Sequence, residues 1–342
     1  MSRTPLVRLP RTGHPILDIF SLGRAAPPGH FTPAQIEQIR RTVRRVPEVM
    51  LKVTGGGTRV GAVAAHLSYI SRKGELAIET DEGTRVTTRD GQKALLNDWN
   101  LELSAGQYRE PRDGRSTARR TKLVHNIVLS MPSPTPPDKV LTAARKFARE
   151  KFGTQHRYAM VLHTDQRHPH VHMVVKAESE HGLRLHIDKE MLRTWREDFA
   201  RMMREQGIAA NATPRALRGK NKGKTKDAIC RAQQRGTSST FRDRVTDVAR
   251  ELRATGAALD PAKGHLRETR KELMTAWTRT ADQLEAQGET TLAGEVRYFS
   301  RHLPPVLTDR EGLAAQFLRY RTSPAASPVA EKLRQRNDEQ TR

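Results

Sequence analysis

The chain has 342 residues, with 61 Lys and Arg against 38 Asp and Glu, a formal net charge of +23. Its 36% hydrophobic and 5% aromatic content supports a core over part of the length, and the charge excess calls for a polyanion, nucleic acid ahead of an anionic membrane surface. One cysteine, Cys230, excludes an internal disulfide and a multi-cysteine zinc site; no apolar run approaches the ~20 residues that span a bilayer and no secretory pattern follows the basic start, so a cytoplasmic protein acting on DNA or RNA is expected.

Residues 1 to about 46 read as peripheral: a Gly- and Pro-rich stretch, then a short helix entered at Thr32 with Pro33 in its first position. EVMLKV (48–53) is strand-like and is stopped by Thr54-Gly55-Gly56-Gly57. TRVGAVAAHLSYISRKG has helical spacing, with Val60, Val63, Ala64, Leu67 and Ile70 on one stripe and Gly74 as the stop. Residues 75–121 hold short strand and helix candidates and a basic loop, PRDGRSTARRTK. LVHNIVLSM (123–131) is a strand, and PDKVLTAARKFAREKF a helix entered through Pro137 and Asp138. RYAMVLH and HVHMVVKA are strands joined by a polar turn, and the next helix runs from an Asp188 N-cap to a Gly207 stop. This order fits a layered α/β or α+β domain ending near residue 210. PRALRGKNKGKTKDAICRAQQRGTSS sets eight basic residues against Asp227 and reads as a basic linker or arm. Residues 240–321 look helical but weakly packed, with a break at Pro304-Pro305, and the remaining tail reads as disordered.

Four of the 13 histidines, His163, His168, His170 and His172, lie within ten residues. Side chains alternate along a strand, so His170 and His172 share a face. If the two strands form a hairpin, the six-residue connection sets His163 opposite His170, and three imidazoles converge. Three neutral imidazoles leave positions open for water or substrate oxygens, as a catalytic metal requires. Asp165 is placed to orient one of them. His168 sits in the turn, separated from the strand by Pro169, and is left out of the ligand set. The alternative for His170 and His172 alone is a polar strand face; a third histidine at the facing end of the preceding strand weighs against it.

His-x-Asp-x-x-x-Pro-His-Val-His-x-Val-Val, residues 163–175, resembles the third motif of conjugative relaxases, the mobilization endonucleases of the MobA/VirD type within the HUH endonuclease superfamily. VMLKVTGGGTRVGAVAAHLSYISRKGEL looks like the first motif of that family, with Tyr69 in the nucleophile's place. Tyr69 also stands off the apolar stripe of its helix, on the side of Ala62, Ala65, His66 and Lys73. The likeness extends over roughly 48–212 and implies an α+β fold: a central antiparallel sheet flanked by helices, followed by a basic, mainly helical C-terminal extension. The expected division is an N-terminal extension (1–47), a nuclease domain (48–212), a basic linker (213–239), a helical region (240–321) and a disordered tail (322–342).

The resemblance implies that one strand at an origin of transfer is nicked by transesterification, leaving a 5′-phosphotyrosyl adduct. The expected metal ligands are His163, His170 and His172, with Mg²⁺ or Mn²⁺ as the family's ion, although imidazoles alone favour Zn²⁺, Ni²⁺ or Cu²⁺. A phenol titrates at about 10, so the nucleophile needs help losing its proton; Asp165 is the candidate for that or for orienting an imidazole, with His66 and His125 as weaker supports. Arg72, Lys73, Arg115, Arg119, Arg120, Lys122, Arg218, Lys220, Lys222 and Lys224 are the expected phosphate contacts. Expected partners are single-stranded or supercoiled DNA and relaxosome accessory and coupling proteins, with no membrane insertion and a monomer as the default. The rival readings are a rolling-circle replication initiator, a histidine-triad-type nucleotide hydrolase, disfavoured by Pro169 and the charge, and a non-catalytic DNA-binding accessory protein.

Overall fold

Three segments, VHNIVLS, YAMVLH and HVHMVVK, are apolar at almost every second position on both sides, the pattern of strands covered on both faces. A computed structural model, which describes residues 6–7, 30–107, 121–220, 235, 237–255 and 263–322, places all three in the middle of one sheet. Among the described residues the chain divides into two units, 6–7 with 33–213 and 30–32 with 214–322.

The first unit opens with β1 (Leu6–Val7), which pairs in parallel with β8 (Arg184–Leu185), and α1 (Pro33–Val43). Then follow β2 (Met50–Gly55), α2 (Val60–Ile70), β3 (Ile78–Thr80), β4 (Arg85–Val86), α3 (Arg89–Asp98) and α4 (Leu101–Gln107). β5 (Val124–Ser130), α5 (Pro137–Phe152), β6 (Tyr158–His163), β7 (His170–Lys176) and α6 (Lys189–Glu205) complete it. The main sheet has six strands in the order β2-β5-β7-β6-β3-β4, every neighbouring pair antiparallel. The architecture is therefore α+β, as the motifs implied.

Each sheet face has its own core. On one face Leu51, Ile127, Leu129, Met160, Val171 and Met173 meet α5 and α6 through Phe147, Phe152, Trp195 and Phe199. The Phe147 ring is edge-on to Phe152, Trp195 and Phe199, with centroids 5.8–6.4 Å away. On the other face Val124, Ala159, Val161 and Val174 meet Val63, Leu67 and Ile70 of α2 and Leu95, Leu96 and Trp99 of the α3 region. The stripe read for α2 is thus the face it buries. Its approach depends on the glycines before it: a Cβ on Gly56 would strike the Val124 carbonyl, and one on Gly57 the Val63 side chain. The α6 cap is also as read, with the Asp188 side chain accepting from the Met191 N–H at 2.7 Å and Gly207 at φ +76°.

α1, placed with the N-terminal extension by sequence, lies in the same unit as the sheet. Its Thr42 hydroxyl is 2.8 Å from that of Thr213, and the nearby Asn211 amide donates to Thr213 Oγ1 at 2.6 Å. The second unit contains α7 (Ser239–Thr255), α8 (Lys263–Ala286), α9 (Thr290–Arg301) and α10 (Asp309–Thr322). Trp277 of α8 is buried edge-on against Phe299 of α9 and donates its Nε1–H to the Leu217 carbonyl at 3.2 Å. The start of the expected basic linker is therefore packed through buried Leu217, an apolar residue among its charges. The tail from 323 onward lies outside the described residues.

Replacing Phe147 by Ala should lower the unfolding free energy by about 3–5 kcal/mol. Denaturant unfolding checks this; a loss below about 1 kcal/mol would mean that the α5–α6 face is not packed as described.

Candidate active site

The hairpin register decides what the histidines can do. His163 at the end of β6 pairs directly with His170 at the start of β7, and His172 follows on the same face. The ring centroids are 4.6–5.1 Å apart in all three pairings. One nitrogen from each ring lies within 4.8 Å of the other two, so the three residues could hold a metal ion. This face is the one α2 covers, since Val161 and Val174 alternate in phase with the histidines and pack in the α2 core.

The remaining hydrogen bonds orient the rings. Nδ1 of His170 is 3.0 Å from the His168 carbonyl oxygen and Nε2 of His163 is 2.6 Å from that of Ile70. Carbonyls only accept, so these nitrogens carry the protons; Nε2 of His170 and Nδ1 of His163 keep the lone pairs a metal needs. Burial and the neighbouring imidazoles of His163 and His170 push the His172 pKa down to about 3, and burial likewise lowers that of His163. Imidazoles held neutral in this way are ready ligands.

Tyr69 is one residue before Ile70, whose carbonyl touches His163, and its side chain is 69% exposed. The stacked ring of His66 has its centroid 6.4 Å from that of Tyr69, and burial lowers the His66 pKa. α2 is secured at the end that carries Tyr69. Ser71, fully buried, accepts from Gln92 Nε2 at 3.0 Å. Arg72 and Lys73 then take left-handed conformations (φ 51° and 60°), and Gly74 at φ 104° has no room for a Cβ beside the Thr87 carbonyl. That turn directs Arg72 onto Asp165, with which it forms an ion pair. The bond holds the Asp165 carboxyl below the usual carboxylate range, while its other oxygen is 3.8 Å from His163 Nδ1, beyond hydrogen-bond reach.

Residues 69–208 match the sequence family described as the MobA/VirD2-like relaxase nuclease domain. This stretch is a relaxase nuclease domain. The chain is also 30% identical over 188 residues to the T-DNA border endonuclease VirD2 of Rhizobium radiobacter, covering 51% of this chain and 43% of that protein. The namesakes from Rhizobium rhizogenes and Agrobacterium fabrum (strain C58) are each 29% identical over the same length, again across 51% of this chain and across 42% and 41% of theirs. The chain thus matches less than half the length of these relatives.

Within the relaxase domain, His163, His170, His172, Tyr69, Asp165, Arg72 and Lys73 come together around the end of α2. Lys122 does not: it precedes β5 at the end opposite Ser130, which pairs with His170. His125 points to the other sheet face, its Nε2 3.3 Å from the Leu185 carbonyl oxygen, because alternation along β5 puts it out of phase with Val124. Arg218 and Lys220 lie in the second unit, and Arg115, Arg119, Arg120, Lys222 and Lys224 fall outside the described residues. No sequence motif pointed to Lys52, which lies on β2 in the row Lys52–Val128–His172. Pairing between strands far apart in sequence creates that row, so local spacing carried no signal for it.

Calorimetric titration with Mn²⁺ or Zn²⁺ should give one tight ion per chain. His163→Ala, His170→Ala and His172→Ala should each weaken it by more than about tenfold, while His125→Ala leaves it unchanged. Equal affinity in all four variants would remove the triad as the metal site.

Proposed function

We propose that this chain is a relaxase that nicks one DNA strand by transesterification, with Tyr69 as nucleophile and His163, His170 and His172 as metal ligands. The observation that carries the reading is the convergence of three imidazoles beneath the end of the helix that exposes Tyr69. When bound, a divalent ion at the triad supplies Lewis-acid stabilisation of the charge that develops on the phosphate oxygens. The family's usual Mg²⁺ or Mn²⁺ is the expected ion.

The Tyr69 oxygen, having given up its proton, attacks the phosphorus of one phosphodiester. A tyrosyl ester to the 5′ phosphate forms as the bond to the 3′ oxygen breaks, and that oxygen leaves as a 3′-hydroxyl after taking a proton. The bond count is unchanged, so attack by a 3′-hydroxyl on the ester can rejoin the strand. The exposed Tyr69 side chain lets a strand reach it without the core opening. Asp165 acts here as an orienting group rather than the base: its carboxylate is committed to Arg72, and the pair ties the helix end to the loop between β6 and β7. His66, whose ring is stacked beside that of Tyr69 and is inclined to stay neutral, is the second candidate for accepting the proton. The +23 charge suits a phosphate backbone as substrate. The relatives are named for T-DNA borders; for this chain the proposed target is an origin of transfer on a plasmid or integrative element, with accessory and coupling proteins as partners.

The test uses supercoiled and single-stranded DNA from the parental element with Mg²⁺ or Mn²⁺, followed by denaturation. A nicked strand carrying protein on its 5′ end, absent with Tyr69→Phe and with EDTA, is expected. Salt-sensitive DNA binding that yields no adduct, or an adduct that persists in Tyr69→Phe, would sink the proposal.

A further inference from the structure

Outside the triad, the sheet face beneath α2 carries two lysines among the described residues: Lys176 of β7, which lies 3.7 Å from Glu180, and Lys52 of β2, which the reading above leaves without a role. Lys52 on β2 is paired with Val128 of β5, and Val128 with His172 of β7. Residues directly opposite in an antiparallel ladder point to the same face, so Lys52 and His172 look toward the same side of the sheet. Two strand spacings separate them, about 10 Å, which a four-carbon stem leaning over Val128 largely spans. Val128, which lies between the two, is buried and uncharged. Among the described residues Lys52 makes no ion pair, whereas Arg72, Arg145, Arg157 and Lys151 in the same unit are each paired with a carboxylate. Lys52 is half-buried, and a partly buried cation that makes no ion pair in the free protein is a favourable partner for a bound anion.

We infer that Lys52 is a further phosphate-binding residue of the active site, taking a non-bridging oxygen of the DNA phosphate at the triad or of the one next to it. The inference rests on the relaxase reading. In that setting the ammonium would stabilise the negative charge that grows on the phosphate during attack by Tyr69, from the side of the sheet opposite to β6. Lysine serves this as a point charge that needs no fixed approach direction, which suits a strand tracked by its backbone rather than its bases.

The experiment compares Lys52→Met and Lys52→Arg with the wild type in three measurements on the full chain. These are single-turnover adduct formation at saturating DNA, the dependence of oligonucleotide affinity on salt, and Mn²⁺ affinity without DNA. Lys52→Met should form adduct at least about tenfold more slowly and lose about 0.7 from the log–log salt slope, the share of one phosphate contact on a single strand. Lys52→Arg should restore most of both. Mn²⁺ should bind Lys52→Met at least as tightly as wild type, because a nearby positive charge has been removed; weaker Mn²⁺ binding would show a damaged fold instead and overturn the inference. An unchanged rate and slope in Lys52→Met would overturn it too. If the wild-type chain forms no adduct, the relaxase reading fails, and the salt slope still decides whether Lys52 contacts phosphate.

Discussion

The site depends on the antiparallel register of β6 and β7. Pairing His163 with His170 puts three ring nitrogens within 4.8 Å of one another. A slip of one residue would turn the β7 histidines to the face packed by α5 and α6 and send Val171 and Met173 to the other. Burial on both faces prevents the slip, because the hairpin's apolar residues are already divided between two cores. The register that builds the hydrophobic layers is therefore the register that brings the three histidines together.

α2 is fitted to that platform by a different set of forces. Val63, Leu67 and Ile70 bury its stripe, and this fixes the rotation that leaves Tyr69 outside. The end of the helix is held by polar contacts: Ile70 to His163, Ser71 to Gln92, and Arg72 to Asp165. The left-handed backbone at Arg72 and Lys73 is the strain that accompanies this turn, of order 1–3 kcal/mol per residue. His163, one of the proposed ligands, and Asp165 beside it thus also position the helix that bears Tyr69. Orientation of the tyrosine and the arrangement of the three histidines are coupled through these few bonds.

Much of this was legible in the sequence. The apolar stripe of α2, the caps of α6 and the hairpin around Pro169 all depend on residues close in the chain, and local spacing reports such features; the expected stop at Gly74 did not hold, because α2 ends at Ile70 and the left-handed Arg72 and Lys73 turn the chain before the glycine is reached. The three-histidine set was legible for the same reason, as it needs only strand alternation and a short connection. What escaped depends on distant pairing. The association of α1 with the sheet goes through Thr42, Asn211 and Thr213, some 170 positions apart. The Arg72–Asp165 pair follows from a backbone turn that no propensity forecasts. His125 looked like a neighbour of the triad only until the strand's alternation put it on the opposite face. Lys52 was one lysine among many until β2 was seen two strands from β7.

The most direct test of the central claim is anomalous diffraction from a crystal of the protein soaked with Mn²⁺ and a single-stranded oligonucleotide. The expected result is one manganese peak within bonding distance of His163, His170 and His172, with a DNA phosphate between that ion and the Tyr69 oxygen. A manganese peak ligated elsewhere, or a phosphate seated on the opposite face of the sheet from α2, would contradict the account.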